Sequence, residues 1–136
     1  MRKVGIQVSR FSSPIGKIHL LAGSEGLLAS YFESQAADME RRFPSETRRS
    51  GHGNIWLLQA QAFLACYFAG DFPYSCNAPL APRGTPFPEQ VWKLLETIPA
   101  GRTRTYGKLA ALMGRPSAGR AVGAANARNP LSIFVP

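Results

Sequence analysis

Several residue types are scarce in this sequence, and each scarcity excludes a class of protein. Only two cysteines, Cys66 and Cys76, occur in 136 residues. That is too few for a disulfide framework, so reduced thiols are expected. The two histidines, His19 and His52, stand at no paired spacing with those cysteines, so neither a metal site nor a cofactor is expected. No apolar run is long enough to cross a bilayer, and the opening residues MRKVGIQVSRF alternate apolar and polar side chains instead of forming a signal core. A cytoplasmic protein with no membrane partner follows. Low-complexity tracts and internal repeats are also lacking, and 45% hydrophobic with 18% charged residues fits a folded chain.

Acidic residues are the scarcer charge: eight Asp and Glu stand against 16 Lys and Arg, a net charge of +8. The excess is uneven. Residues 1–72 carry eight basic and six acidic side chains, whereas residues 73–136 carry eight and two. Between Thr97 and Pro136 there are six basic residues, Arg102, Arg104, Lys108, Arg115, Arg120 and Arg128, and no acidic one. Such an asymmetry suits a polyanionic partner such as nucleic acid, although a basic domain can also be merely well solvated.

Apolar periodicity divides the rest. Val4, Ile6 and Val8 alternate with polar or small residues, Ile18, Leu20 and Ala22 repeat the alternation with His19 and Leu21 on the other face, and LLASYF spans Leu27 to Phe32. With turn residues at Ser12–Gly16 and Gly23–Gly26, these segments predict a three-stranded antiparallel meander. A short helix is expected over Ala36–Phe43, ended by Pro44, and PSETRRSGHG reads as a surface loop. From Asn54 to Ala69 the spacing of Trp56, Ala60, Phe63, Leu64 and Tyr67 predicts a helix packed on the meander, with Gly70 as its cap and Cys66 as a small packing residue. Residues 71–88 hold too many prolines and glycines for a regular element and read as a linker. The domains expected are therefore 1–81, with linker from about 71, and 82–136.

In the second domain Thr85 and Pro86 open a helix striped by Phe87, Val91, Leu94, Leu95 and Ile98. Thr105 caps another, which buries Leu109, Ala110, Leu112 and Met113 and stops at Gly114. Ser117 is expected to cap a third, reaching about Asn126 and built of Ala, Gly and Val around Arg120. Two short helices across a Gly-containing turn fit a helix-turn-helix. An Asn-Pro corner at Asn129 and an apolar strand to Pro136 complete the pattern. A helix of small residues suits close packing on another helix, or close approach to a duplex backbone with Arg120 as a long cation entering the base stack or holding a phosphate; the lack of acids favours the second.

These residues resemble the O6-alkylguanine-DNA alkyltransferases. The likeness is carried by GTPFPEQVW (Gly84–Trp92), IPAGRTRTYGKLA (Ile98–Ala110) and above all GRAVGAANARNPLSIFVP (Gly119–Pro136), with looser support from SPIGKIHLLAG, LLASYF and YFAGDF. It implies an α+β fold, with a ribonuclease-H-like N-terminal domain built on the three-stranded sheet and a winged-helix-like C-terminal one. It also implies a monomeric repair protein that binds double-stranded DNA and flips O6-alkylguanine, with O4-alkylthymine as a second lesion, into a pocket where a cysteine takes the alkyl group. Residue by residue, Arg120 matches the arginine that fills the vacated stack and Tyr106 the tyrosine that crowds the flipped nucleotide's phosphate. Gly107 and Arg115 fall with them on the DNA side, and Asn129 matches the asparagine that fixes the turn beside the nucleophile. In the family the next residues after the position of Pro136 are Cys-His-Arg. The acceptor cysteine is thus expected directly after Pro136, so the chain as it stands is expected to be inactive, with Ile133 and Phe134 exposed. Neither Cys66 nor Cys76 is expected to replace it. A non-catalytic damage-sensing module and an inactive fragment are the alternatives.

Overall fold

The computed structural model describes residues 5–44, 48–71 and 76–136; the expectation for Val4 lies outside them. The chain forms two compact units, Met1–Pro82 and Arg83–Pro136.

The first unit is built on strands β1 (Ile6–Ser13), β2 (Gly16–Ala22) and β3 (Leu27–Phe32), which pair antiparallel in sequence. The sheet expected with three antiparallel strands has a fourth. Strand β4 (Arg48–Ser50) lies inside the supposed surface loop and pairs parallel with β1, giving the order β3-β2-β1-β4. Arg48 anchors that edge: its side chain donates to Phe43 O at 2.8 Å and to Tyr31 Oη at 2.9 Å. Tyr31 and the pairing strand β1 are remote in sequence, which is why propensity in a polar RRS tripeptide gives no hint of a strand.

Both faces of the sheet are covered. Helix α1 (Ala36–Arg42) follows a 3-10 turn, and its Met39 joins Phe43, Leu21, Leu28 and Tyr31 in a buried cluster against which Ile6 and Val8 pack. Helix α2 (Ile55–Ala69) lies on the opposite face, where Gln61 donates to Ser9 Oγ and Phe68 stacks on Phe11. Period-2 alternation sends Gln7, Ser9 and Phe11 to this side. Asn54 caps α2 through its side chain, which accepts from Leu57 N, and Gly70 ends the helix in the left-handed conformation at φ 75°. Of the expected stripe Ala60 and Leu64 are buried, together with Leu57, whereas Trp56 and Phe63 are only partly buried and Tyr67 is exposed; Cys66, expected to pack, is exposed too. Because α2 carries apolar residues on every side, periodicity could not select which face turns inward. The end of the linker is tied down: Leu27 N donates to Pro79 O and Ala81 N to Leu27 O, a parallel bridge beside β3.

The second unit contains α3 (Pro86–Leu95), α4 (Tyr106–Leu112) and α5 (Gly119–Ala127). Val91, Trp92, Leu95, Leu109, Ala110, Val122, Ala125 and Leu131 are buried. Trp92, which the expected stripe omits, is the largest of them, and its Nε1 donates to Ala125 O at 2.8 Å. Thr105 caps α4 by accepting from Lys108 N, and Gly114 closes it at φ 73°. Ser117 does not cap α5; Ala118 occupies that position without a side-chain bond.

Candidate nucleic-acid interface

Helices α4 and α5 meet at their N-terminal ends through glycines. A Cβ on Gly119 would stand 3.6 Å from Gly107 N, and one on Gly123 would stand 3.1 Å from the ring of Tyr106. The small residues of α5 thus let the first turn of α4 lie directly on it. Tyr106 is 46% exposed, and its hydroxyl accepts a hydrogen bond from Asn126 Nδ2 at 3.1 Å. Beside it opens a cleft of about 480 Å³, bordered by Leu95, Ile98, Arg104, Tyr106, Asn126 and Pro136. Arg104 reaches Thr97 Oγ1 at 3.1 Å.

The segment after α5 is not the expected strand. Asn129 Oδ1 accepts from Leu131 N at 2.9 Å, Asn129 Nδ2 donates to Val135 O at 3.2 Å, and Val135 N donates to Leu131 O at 2.9 Å. Backbone groups that a strand would offer to a neighbour are spent within the loop, so residues 132–134 turn. Ile133 has φ 77°, a left-handed conformation that costs a β-branched residue energy and needs surrounding structure to hold it. Phe134, expected to be exposed, is buried at 8%.

Of the site residues read from the sequence, Tyr106 borders the cleft, which Pro136 also lines, and Asn129 bonds the loop that ends at Pro136. Arg120 is exposed in the first turn of α5, and Gly107 is exposed beside Tyr106. Arg115 turns elsewhere: its guanidinium lies 5.6 Å from the centroid of the Phe87 ring on α3. Asn126 was not singled out by the sequence, although its place one turn after Gly123 on a helix is the signal that could have found it. Cys76 is partly buried, and that burial pushes its thiol above the ordinary range, which lowers its nucleophilicity near neutral pH.

A sheet flanked by helices, followed by a small helical unit whose last two helices border a cleft, makes this an α+β protein. Residues 86–136 match the family described as 6-O-methylguanine DNA methyltransferase, DNA binding domain. The chain belongs to the methylated-DNA--protein-cysteine methyltransferase family. A relative of that name from Methanosarcina acetivorans is 41% identical over 126 residues, covering 93% of this chain and 77% of the relative. One from Shigella flexneri is 37% identical over 131 residues, with the same coverage. Among solved structures, Mycobacterium tuberculosis O6-methylguanine methyltransferase is similar at a TM-score of 0.80 and 36% identity, over 96% of this chain and 75% of that one. A structure of Mycobacterium tuberculosis OGT in complex with DNA is similar at 0.74 and 37% identity, over 96% and 74%.

Proposed function

We propose that this chain performs the recognition steps of O6-alkylguanine repair: it binds duplex DNA through residues 82–136, flips the alkylated base, and presents it at the cleft beside Tyr106. The carrying observation is that Tyr106 and Pro136 border the same cleft, within the stretch Thr97–Pro136 that has six basic residues and no acidic one. Arg120 fills the vacated stack, where a long cation offsets part of the few kcal/mol that extrusion costs. Gly107, without a side chain, admits the backbone closely, and Arg115 contributes charge from its perch on Phe87. Tyr106 meets the flipped nucleotide's phosphate. Asn129 holds the loop that brings Pro136 to the cleft, so that the acceptor cysteine the family carries next would face the base. In the transfer, the thiolate sulfur bonds to the alkyl carbon, the carbon–O6 bond breaks, and the guanine takes a proton as it leaves. O4-alkylthymine is a second substrate, and the chain acts as a cytoplasmic monomer.

The test is fluorescence anisotropy with paired duplexes, one carrying O6-methylguanine and one guanine. Arg120→Ala is expected to reduce preference for the lesion, while Lys108→Ala weakens both duplexes alike. A chain that binds neither duplex at about 0.1 M salt, where phosphate contacts still act, overturns the reading. Label from the methyl group is expected on neither Cys66 nor Cys76.

A further inference from the structure

Helix α2 turns a second apolar face outward. Leu57, Ala60 and Leu64 are buried, whereas Ile55 and Leu58 are 57% and 56% exposed, and Ala62, Ala65 and Ala69 are exposed as well. Those five residues follow one another at alternating steps of three and four, so at about 100° per residue they fall in one stripe, turned away from the buried one. No charged side chain interrupts Ile55–Ala69, although the chain carries a net charge of +8.

Alternating steps of three and four are the spacing of a helix–helix seam, and the order of side chains along it decides what fits. The two large ones stand at the N-terminal end, and alanines fill the rest. Turned end to end, an identical stripe lays Ile55 and Leu58 over Ala65 and Ala62 of the second copy. Every layer then joins a large residue to a small one, and the two-fold repeats each layer once. Parallel pairing would set large against large and leave alanines facing each other across a gap. Charge favours the same partner: two copies of a cationic molecule repel, and a face without charges lets them meet with no cation against another. The strip is about 22 Å long and one row of side chains wide, well short of the ~800 Å² per partner of a standard complex, so association is weak and reversible.

We propose that α2 is the contact face of a weak, antiparallel, two-fold dimer of this chain. The contact does not depend on duplex DNA being the ligand, and at low concentration the chain remains the monomer of the proposed function.

Sedimentation velocity on the full chain, from roughly 10 µM to 1 mM to match weak association, is expected to show a reversible shift from monomer to dimer. No larger species should form, because a two-fold contact closes on itself. Leu58→Asp places a charge in the seam on both copies and should raise the dissociation constant at least about tenfold. If that variant does not fold by circular dichroism, Ala65→Glu decides, since Glu is a good helix former at an exposed position. Cross-linking reads the orientation. With the two-fold near position 60, Ala62 of the two copies stands about 6 Å apart along the helix axis and Cys66 about 18 Å. A short bismaleimide should therefore join Ala62→Cys chains in a Cys66→Ser, Cys76→Ser background. The same reagent should leave chains with native Cys66 and Cys76→Ser unlinked. A chain that stays monomeric across the range, a dimer indifferent to both charge substitutions, growth beyond the dimer, or cross-linking through Cys66 in preference to Ala62→Cys would each overturn the proposal.

Discussion

Asn129 shows how much one side chain decides. It accepts from Leu131 N and donates to Val135 O, closing a loop that holds Ile133 in a left-handed conformation. Asn129→Ala removes both bonds and leaves nothing to offset that conformation. A loss of about 1–3 kcal/mol is expected in urea denaturation; an unchanged midpoint would show that the apolar burial of Leu131, Phe134 and Val135 alone holds the loop. At the other end of the chain, Glu33 accepts from His19 at 2.6 Å. That bond and the nearby positive charge hold the Glu33 carboxyl below its ordinary value of 4.5. A depressed folded-state value contributes stability that is present above 4.5 and lost as pH falls through the lower folded value. Glu33→Gln should therefore flatten the decline in melting temperature below about pH 5, followed by circular dichroism. The pair is exposed to solvent on the Glu33 side, so the effect will be modest.

Between elements, contacts are made by what is absent as much as by what is present. Gly26 has φ 145°, and a Cβ there would stand 2.2 Å from Pro79 O. That carbonyl is the acceptor for Leu27 N, which ties the linker to β3. Gly26→Ala is expected to break this bridge and to destabilise the first unit by more than about 1 kcal/mol, combining backbone strain with a contact that cannot relax through a side chain. A hydrogen-exchange measurement would see Ala81 N lose protection; if its protection is unchanged, the bridge tolerates the substitution. Trp92 performs the comparable task in the second unit, linking α3 to the last turn of α5 through Ala125 O. Trp92→Phe should cost about 1–3 kcal/mol from the lost bond and the gap it leaves, read as a lower midpoint in chemical denaturation.

For the whole molecule the net charge of +8 is the governing quantity. If duplex DNA is the ligand, the logarithm of the binding constant should fall linearly with the logarithm of salt concentration, and Lys108→Ala should reduce that slope by about 1. A binding constant indifferent to salt would contradict phosphate contact.

Much of this was legible in the sequence where the signal is local. Asn54 and Gly70 bound α2, and Thr105 and Gly114 enclose α4, because a cap acts on backbone groups within one turn of itself; Thr85 stands at the start of α3 without a side-chain capping bond, and Pro86 opens that helix. The family likeness fixed Tyr106, Arg120 and Asn129 as residues of interest for the same reason: a motif is a run of neighbours. Tertiary structure alone decided what depends on distant partners. Strand β4 exists because β1 offers it a free edge and Arg48 finds Tyr31 and Phe43. The inward face of α2 is chosen by the sheet, and Tyr106 acquires Asn126 as donor only once Gly123 lets its ring settle on α5.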